Sequence, residues 1–518
     1  MAVAGEALRD RLMGFLMWGT ILSSGAYISF RIFRQILFFD YQYSYWSASL
    51  AALLFIAFLF SNLVFSSAIH AVSSCQPLPV ATLSELTLGL LRFVFFASSS
   101  KESSSSQAFR SRFSVTALLF FFIVVASLSS MASIAAITTS ASSMVLTRGL
   151  IAGVVYSIIY LYKRRWIMSF PVIQRPLFFS FKLGIYPAIS NSFKLANTAN
   201  FLSLLITLLQ RESSGKSSPA AIFLDEAIQY LGTFIVFLCW EINHHLYQIL
   251  HTKRMTFSTS KGLISEANPN EQLLTALEDT QPGSLEQCLA YLDLCMVCES
   301  NVYTSRRSAF FEETSETYKR VVSACLKPVE QFISNVKESL PEKGTHLSSQ
   351  MLSPSDSFTF SNAHVFNNFQ QCAWGARAAA SLTAKSHSED RFGVAQLSSS
   401  NALVISTLIS ALLAVEAVMG KKTTARLQNN MGFSLMKSNI GNAVQKPRSG
   451  VVLAKAYSMA DMLRASIYCI VCSFYEEMVS GSKSGNLEKN WVVSVRVRFA
   501  SNEVVLQKLR LFIDFREN

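Results

Sequence analysis

The residues best equipped for chemistry fall into four groups. Cys295-x-x-Cys298 and Cys469-x-x-Cys472 have the spacing of thiolate pairs that share a zinc ion. The two pairs lie ~170 residues apart, far beyond the usual separation within one such site. Each also sits in an apolar helical run, Cys-Met-Val-Cys and Cys-Ile-Val-Cys, where a thiol behaves as a small buried hydrophobe. Glu241-x-x-His244-His245 has the Glu-x-x-His spacing of carboxylate di-iron bundles, but such a site needs matching Glu and His on partner helices. None of the other apolar segments supplies them, so the group reads as polar residues at the end of a span. Met419-Gly420-Lys421-Lys422-Thr423 looks like a phosphate loop, yet the earlier glycine position is Val415 and Lys422 replaces the hydroxyl after Gly-Lys. Lys194, Asn197 and Asn200 form a polar stripe at i, i+3 and i+6, which suits hydrogen bonding between membrane helices more than an ion path. No cofactor or metal is expected, and no catalytic residue is assigned.

The elements that carry these groups are unusually apolar. The 518-residue chain is 51% hydrophobic and only 15% charged, with 40 Phe and a mean hydropathy of +0.33. A soluble domain carries about 25% charged residues. The expected class is all-α, a polytopic membrane protein with about six transmembrane helices followed by a mainly helical domain. Apolar runs long enough to cross a bilayer lie at 12–33, 46–69, 113–137, 145–162, 193–209 and 220–240. The fifth is the weakest, being interrupted by Lys194, Asn197 and Asn200. Gly149-x-x-x-Gly153 on the fourth is a helix-packing motif. The first run is read as a retained span rather than a cleaved signal. Nine scattered cysteines, an odd number, argue against a secreted disulfide framework.

Charge sets the orientation. The net charge is +12, and it is uneven: residues 1–255 hold 19 Lys and Arg against 9 Asp and Glu, whereas 256–518 hold 26 against 24. The basicity sits in the apolar half, the pattern of juxtamembrane anchors and not of a nucleic-acid groove. With both termini on one side, thirteen basic residues of the connections fall on that side and five on the other. That places both termini in the cytoplasm. Lys163-Arg164-Arg165-Trp166, closing the fourth span, is the candidate membrane anchor. Residues 83–96 are apolar but too short to span, so they either lie in the interface or pack on the bundle. The Ser-rich tract 98–107 reads as a linker.

The six-span domain is expected over 1–252, and over 253–518 the composition turns mixed and helical, as expected of a cytoplasmic domain. Apolar periodicity predicts helices over 271–277, 285–302, 318–340, 451–479 and 504–515, with a linker near 341–362. Residues 401–419 are apolar enough to pass for a seventh span, but Glu416 and several Ser and Thr favour a buried core helix. The alternation over 491–499 suits a short strand.

The basic connection continues as Phe170-Pro171-Val172-Ile173-Gln174, followed by Phe178-Phe179-Ser180-Phe181-Lys182. With the six-span layout and the helical C-terminal half, this stretch resembles the NDC (nuclear division cycle) family of transmembrane nucleoporins. The resemblance implies a non-enzymatic anchor of the nuclear pore complex in the nuclear envelope. It also implies that the C-terminal half binds soluble scaffold nucleoporins, with other membrane-ring nucleoporins as further partners and roles in pore assembly and in protein and mRNA transport. Phe170, Pro171, Ile173 and Gln174 are the family-like positions; direct nucleic-acid binding is not expected. Phe392-Gly393 is the only Phe-Gly pair, so a Phe-Gly-repeat barrier protein is excluded. Two competing readings are a transporter or channel led by Lys194 and a lipid-modifying membrane enzyme led by Glu241, His244 and His245.

Overall fold

A computed structural model describes residues 2–38, 45–77, 104–139, 142–171, 174–210, 219–257, 270–278, 280–312, 315–339, 365–432, 447–493 and 499–517, with isolated positions at 80–81, 84–85, 87 and 497. The expected linker 341–362 lies outside the described residues, as do most of 83–96 and Ile173. Among the described residues the regular secondary structure is helical, with one isolated bridge between Ser74 and Ile167. The chain divides into two compact units, Ala2–Lys253 and Arg254–Asn518.

The first unit is a bundle of long helices: α1 (Ala2–Phe38), α2 (Tyr45–Val72), α3 (Ser104–Thr138), α4 (Ser143–Tyr162), α5 (Leu177–Gln210) and α6 (Pro219–Thr252). Its interior is aromatic. Phe65 stacks on Trp240 at 3.7 Å, and Tyr156 meets Trp240 edge-on at 4.9 Å. Its exterior is apolar as well, with Met17, Trp18, Leu53, Ile56, Phe60, Phe120 and Phe121 all exposed. Water does not accommodate such a surface over whole helix faces, and a hydrocarbon environment does. Ser142 caps α4 by accepting from the Val145 amide. Gly149 and Gly153 then bring α4 against the α3 backbone: a Cβ at Gly153 would lie 2.5 Å from Ser127 Cα, and one at Gly149 2.6 Å from Met131 Cα.

Six helices are long and apolar enough to cross a membrane: Gly5–Ile36, Ala48–Val72, Arg110–Thr138, Ser143–Tyr162, Phe223–Thr252 and Ser400–Gly420. The set differs from the sequence expectation at two places. α5, the expected fifth span, is not in it, and Ser400–Gly420 is. Yet the latter is 72% buried within its own unit, against 22–44% for the other five, as befits the expected core helix. Topology assigns α5. Arg148 at the start of α4 pairs with Glu226 near the start of α6, and Gln174 just before α5 reaches the Thr252 carbonyl at the end of α6. The chain therefore leaves α4 at one end of the bundle and enters α6 at the other, and α5 is the segment that makes the crossing.

The second unit packs α7 (Glu271–Glu278), α8 (Leu285–Glu299), a 3-10 turn (Asn301–Tyr303), α9 (Thr304–Ser308), α10 (Glu316–Ser339), α11 (Phe369–Glu389), α12 (Val394–Leu397), α13 (Ser400–Gly432), α14 (Pro447–Ser473), α15 (Tyr475–Lys483), α16 (Leu487–Trp491) and α17 (Asn502–Glu517). α13 runs through the middle, burying Val404, Ile405, Leu408, Ile409, Leu412 and Val415. Glu416 finds Lys508 at 2.9 Å and Arg464 at 3.2 Å at the edge of that core. Gly375 lets α11 approach α10 so closely that a Cβ would stand 2.5 Å from the Cys325 carbonyl. The expected helix 451–479 is broken at Phe474 into α14 and α15. The strand expected over 491–499 is corrected at its start: Trp491 closes α16, because its backbone continues the turn from Leu487 and its ring packs edge-on against Phe474 at 5.1 Å. Residues 494–496 and 498 lie outside the described set.

Candidate functional site

The candidate anchor closes α4. Lys163 N–H bonds back to the Ile159 carbonyl, Arg164 to Leu161 and Arg165 to Tyr160. Arg164 takes a left-handed φ of 51°, which turns the chain sharply out of the helix. Trp166 and Ile167 then run beside Ser74 at the end of α2. The Ser74 amide donates to the Trp166 carbonyl at 3.1 Å, and Met168 donates to Ser74 at 2.9 Å.

This turn splits the four anchor residues into two pairs. Lys163 and Arg164 are exposed beside Tyr162, which is 78% exposed. Arg165 and Trp166 face inward. Trp166 is 3% exposed and is packed within protein, so it is not the interfacial tryptophan the sequence suggested. The exposed aromatic residue beside the turn is Tyr162 instead. The positive charges beside it have no carboxylate partner among the described residues, a setting in which long basic side chains reach toward phosphates.

Arg165 forms a two-pronged ion pair with Glu241 on α6, through Nη1 to Oε1 and through Nη2 to Oε2 at 2.9 Å. Glu241, 1% exposed, also accepts from the Tyr156 hydroxyl at 3.1 Å. His244, one turn on, meets the Tyr160 hydroxyl through Nδ1 at 3.3 Å. Arg165 lies over the Tyr160 ring at 5.6 Å. A buried carboxylate is tolerated only when paired and hydrogen-bonded, and here all its partners come from α4 and the turn after it. The group expected at a span end is therefore interior: α6 continues to Thr252, and Glu241 and His244 fasten the α4 turn to it. His245 faces the other way, toward the Ser180 carbonyl of α5 at 3.2 Å, over Gly184.

The family-like stretch follows the turn. Phe170 is buried, Pro171 is exposed, and Gln174 donates from Nε2 to the Thr252 carbonyl at 3.4 Å. Ser169 donates its amide to Gln248. The stretch thus laces the α4–α5 connection to the last two turns of α6. Sequence reasoning missed Tyr156, Tyr160, Tyr162 and Ser74. Tyr156 and Tyr160 continue the face begun by Gly149 and Gly153, at i+7 and i+11 from Gly149, which was the available signal.

The other chemical candidates separate in space. Lys194 is exposed on the outer face of α5. A narrow seam lined by Gly19, Ser23, Asn62, Ser66 and Asn243 lies between α1, α2 and α6 and does not include it. Cys295 and Cys298 are buried on α8, and burial raises both thiol pKa values; the Glu299 carboxylate adds to the rise. The second pair departs from the buried expectation: Cys469 is exposed and Cys472 half-buried, because this face of α14 is turned outward. Among the described residues no group of three or more His, Cys, Asp or Glu is arranged to hold a metal ion. An open pocket of about 450 Å³ in the second unit is lined by Gln396, Ser399, Asn401, Glu477, Lys489 and Trp491. In comparison with known proteins, no family model matches the chain and no curated protein matches it.

Proposed function

We propose that the chain is a membrane scaffold: its bundle anchors it in a lipid bilayer, and the unit Arg254–Asn518 docks soluble proteins. The observation that supports this is the contrast between the two surfaces. Ala2–Lys253 leaves large apolar side chains exposed along its long helices. Arg254–Asn518 buries an ordinary core and carries exposed ion pairs such as Arg320 with Glu271 and Glu278. In this reading the basic turn contributes anchoring through the exposed Lys163 and Arg164, while Arg165, Glu241, Tyr156 and His244 engage one another and hold the turn on α6.

In its finer form, the membrane is the nuclear envelope and the assembly is the nuclear pore complex, with scaffold nucleoporins as partners of the second unit. That part rests on the resemblance of 164–187 to the NDC family. Imaging a tagged full-length chain in cells tests it. A punctate nuclear rim is the expected pattern; plasma-membrane or plain reticular staining overturns the nuclear part. Truncation tests the division of labour. Residues 1–253 should stay in the membrane without recovering soluble nucleoporins, and residues 254–518 should recover them without membrane.

A further inference from the structure

α5 crosses the bundle, yet it carries a cation at its middle. Lys194 lies 17 residues from Leu177 and 16 from Gln210, ~25 Å from either helix end at 1.5 Å per residue. The helix is longer than the ~30 Å hydrocarbon core, so depth is read from its neighbour: Asn197 is level with Tyr230 on the antiparallel α6, and Lys194, one turn further along, stands ~15 Å inside the Phe223 end of the apolar stretch Phe223–Thr252. A four-carbon stem does not reach that far by snorkelling. Lys194 has no ion-pair or side-chain hydrogen-bond partner among the described residues, and it faces away from α4 and α6. One turn on, Asn197 is exposed beside it. Its Oδ1 accepts from the Tyr230 hydroxyl at 2.5 Å, which leaves the amide N–H groups pointing at no described acceptor. Around this polar island the same face is apolar, with Leu183, Tyr186, Phe201 and Leu205 exposed.

We infer that the outer face of α5 is an intramembrane docking surface for a spanning helix of another protein that carries a carboxylate. Three features select this occupant. The unmet groups are a cation and amide donors, so the complement is an acceptor with negative charge. Charged residues inside a bilayer pair with one another rather than face lipid. A second copy of this chain would set Lys194 against Lys194 across a two-fold axis, which like charges disfavour. The flanking aromatic residues supply the apolar contact on either side of the pair. The proposal rests on the membrane-spanning part of the proposed function and is independent of the nuclear part.

The test uses the full chain in liposomes and a synthetic leucine–alanine spanning peptide with one central Glu, with association read by fluorescence transfer. The Glu peptide should associate at least about threefold more tightly than the same peptide with Leu, the scale of interhelical polar contacts in bilayers. Lys194→Leu should abolish the difference; it removes a lipid-facing cation, so the variant inserts at least as well as the parent. Equal association of the two peptides overturns the inference. Transfer between copies of the chain without peptide overturns it in favour of self-association. Reaction of Lys194→Cys with a membrane-impermeant thiol reagent, above the background of the nine native cysteines, overturns it in favour of a water-lined path. Alkaline extraction separates the two levels. A chain released from membranes sinks the spanning premise, whereas equal peptide binding by a chain that resists extraction sinks only the docking surface.

Discussion

The α3–α4 hairpin sets where the basic turn sits, and it depends on two missing side chains. In Gly153→Ala the new methyl would stand 2.5 Å from Ser127 Cα and 2.6 Å from the Ala126 carbonyl oxygen. Both obstacles are backbone, so no rotamer change clears them. Carbon atoms pack at about 3.5–4.0 Å, so the helices must separate by roughly 1 Å. A gap of that size forfeits a quarter to a half of each dispersion contact across the seam. Small-to-large changes in close-packed interiors cost about 1–3 kcal/mol. Alanine is also the better helix former by about 0.5–1 kcal/mol, which partly offsets the strain. The expected net loss for Gly153→Ala is about 1–2 kcal/mol, and more for Gly153→Leu. Gly25 on α1 is the control, because a Cβ there meets nothing within 4 Å. Gly25→Ala should keep the full propensity gain of about 0.5–1 kcal/mol. The assay is thermal unfolding of the full chain in detergent micelles, all variants side by side. Opposite signs for the two alanines are the expected result. A Gly153→Ala chain as stable as the parent, or shifted in the same direction as Gly25→Ala, refutes the close α3–α4 approach.

Other outcomes follow from the same contacts. Arg165→Met strands the buried Glu241 carboxylate with one neutral donor and should cost about 3–5 kcal/mol in micelles, whereas Arg165→Met with Glu241→Leu should recover much of it. Arg307, fully buried against Glu389 and the Ser300 carbonyl at 2.8 Å, should behave likewise in the second unit: Arg307→Met is expected to lower its urea midpoint by the equivalent of about 3 kcal/mol. Thiol labelling at neutral pH should reach the exposed Cys469 first, with Cys298 and Cys325 reacting only on unfolding. The buried thiols also predict a pH limit. Burial pushes Cys372 up to about 12 and raises Cys295, Cys298 and Cys325, so the folded state keeps protons that the unfolded chain releases above pH about 8.5. Their stabilisation is complete below that pH and should fall by about 1.4 kcal/mol per unit per thiol as pH rises toward the folded values, read as a falling urea midpoint of the second unit.

How much of this was legible in the sequence follows from what each element packs against. The apolar runs 46–69, 113–137 and 145–162 lie inside α2, α3 and α4, because a lipid-facing helix must be apolar around its whole circumference. Gly149-x-x-x-Gly153 was legible as packing for the same reason: small residues at i, i+4 leave room for a neighbouring backbone. The core helix 401–419 was ambiguous by composition. Its burial among α10, α11 and α14 is a tertiary property that no window of residues contains. α11 was not expected at all. Its Ala378-Ala379-Ala380 run and Gly375 give little periodic contrast, and only the close approach to α10 explains why small residues stand there. Glu241 and His244 were placed at a span end because their partners, Tyr156, Tyr160 and Arg165, are ~80 residues away in sequence and no local pattern couples them.

The candidate anchor splits one short motif between two environments. Lys163-Arg164-Arg165-Trp166 reads as a single basic–aromatic patch when only composition is considered. The left-handed turn at Arg164 breaks that equivalence, sending residues 163–164 outward and 165–166 inward. The inward half must then satisfy its charge within protein, which Glu241 does, and so fixes the outward half relative to α6. A cation held at a fixed depth loses less side-chain entropy on meeting a phosphate than one on a loose loop. Exchanging Arg165 for Lys would keep the net charge but lose the two-pronged pairing with Glu241, since an ammonium is a point donor and the planar fork is not. The orientation of Lys163 and Arg164 therefore depends on the identity of Arg165 and not on the count of positive charges in the stretch.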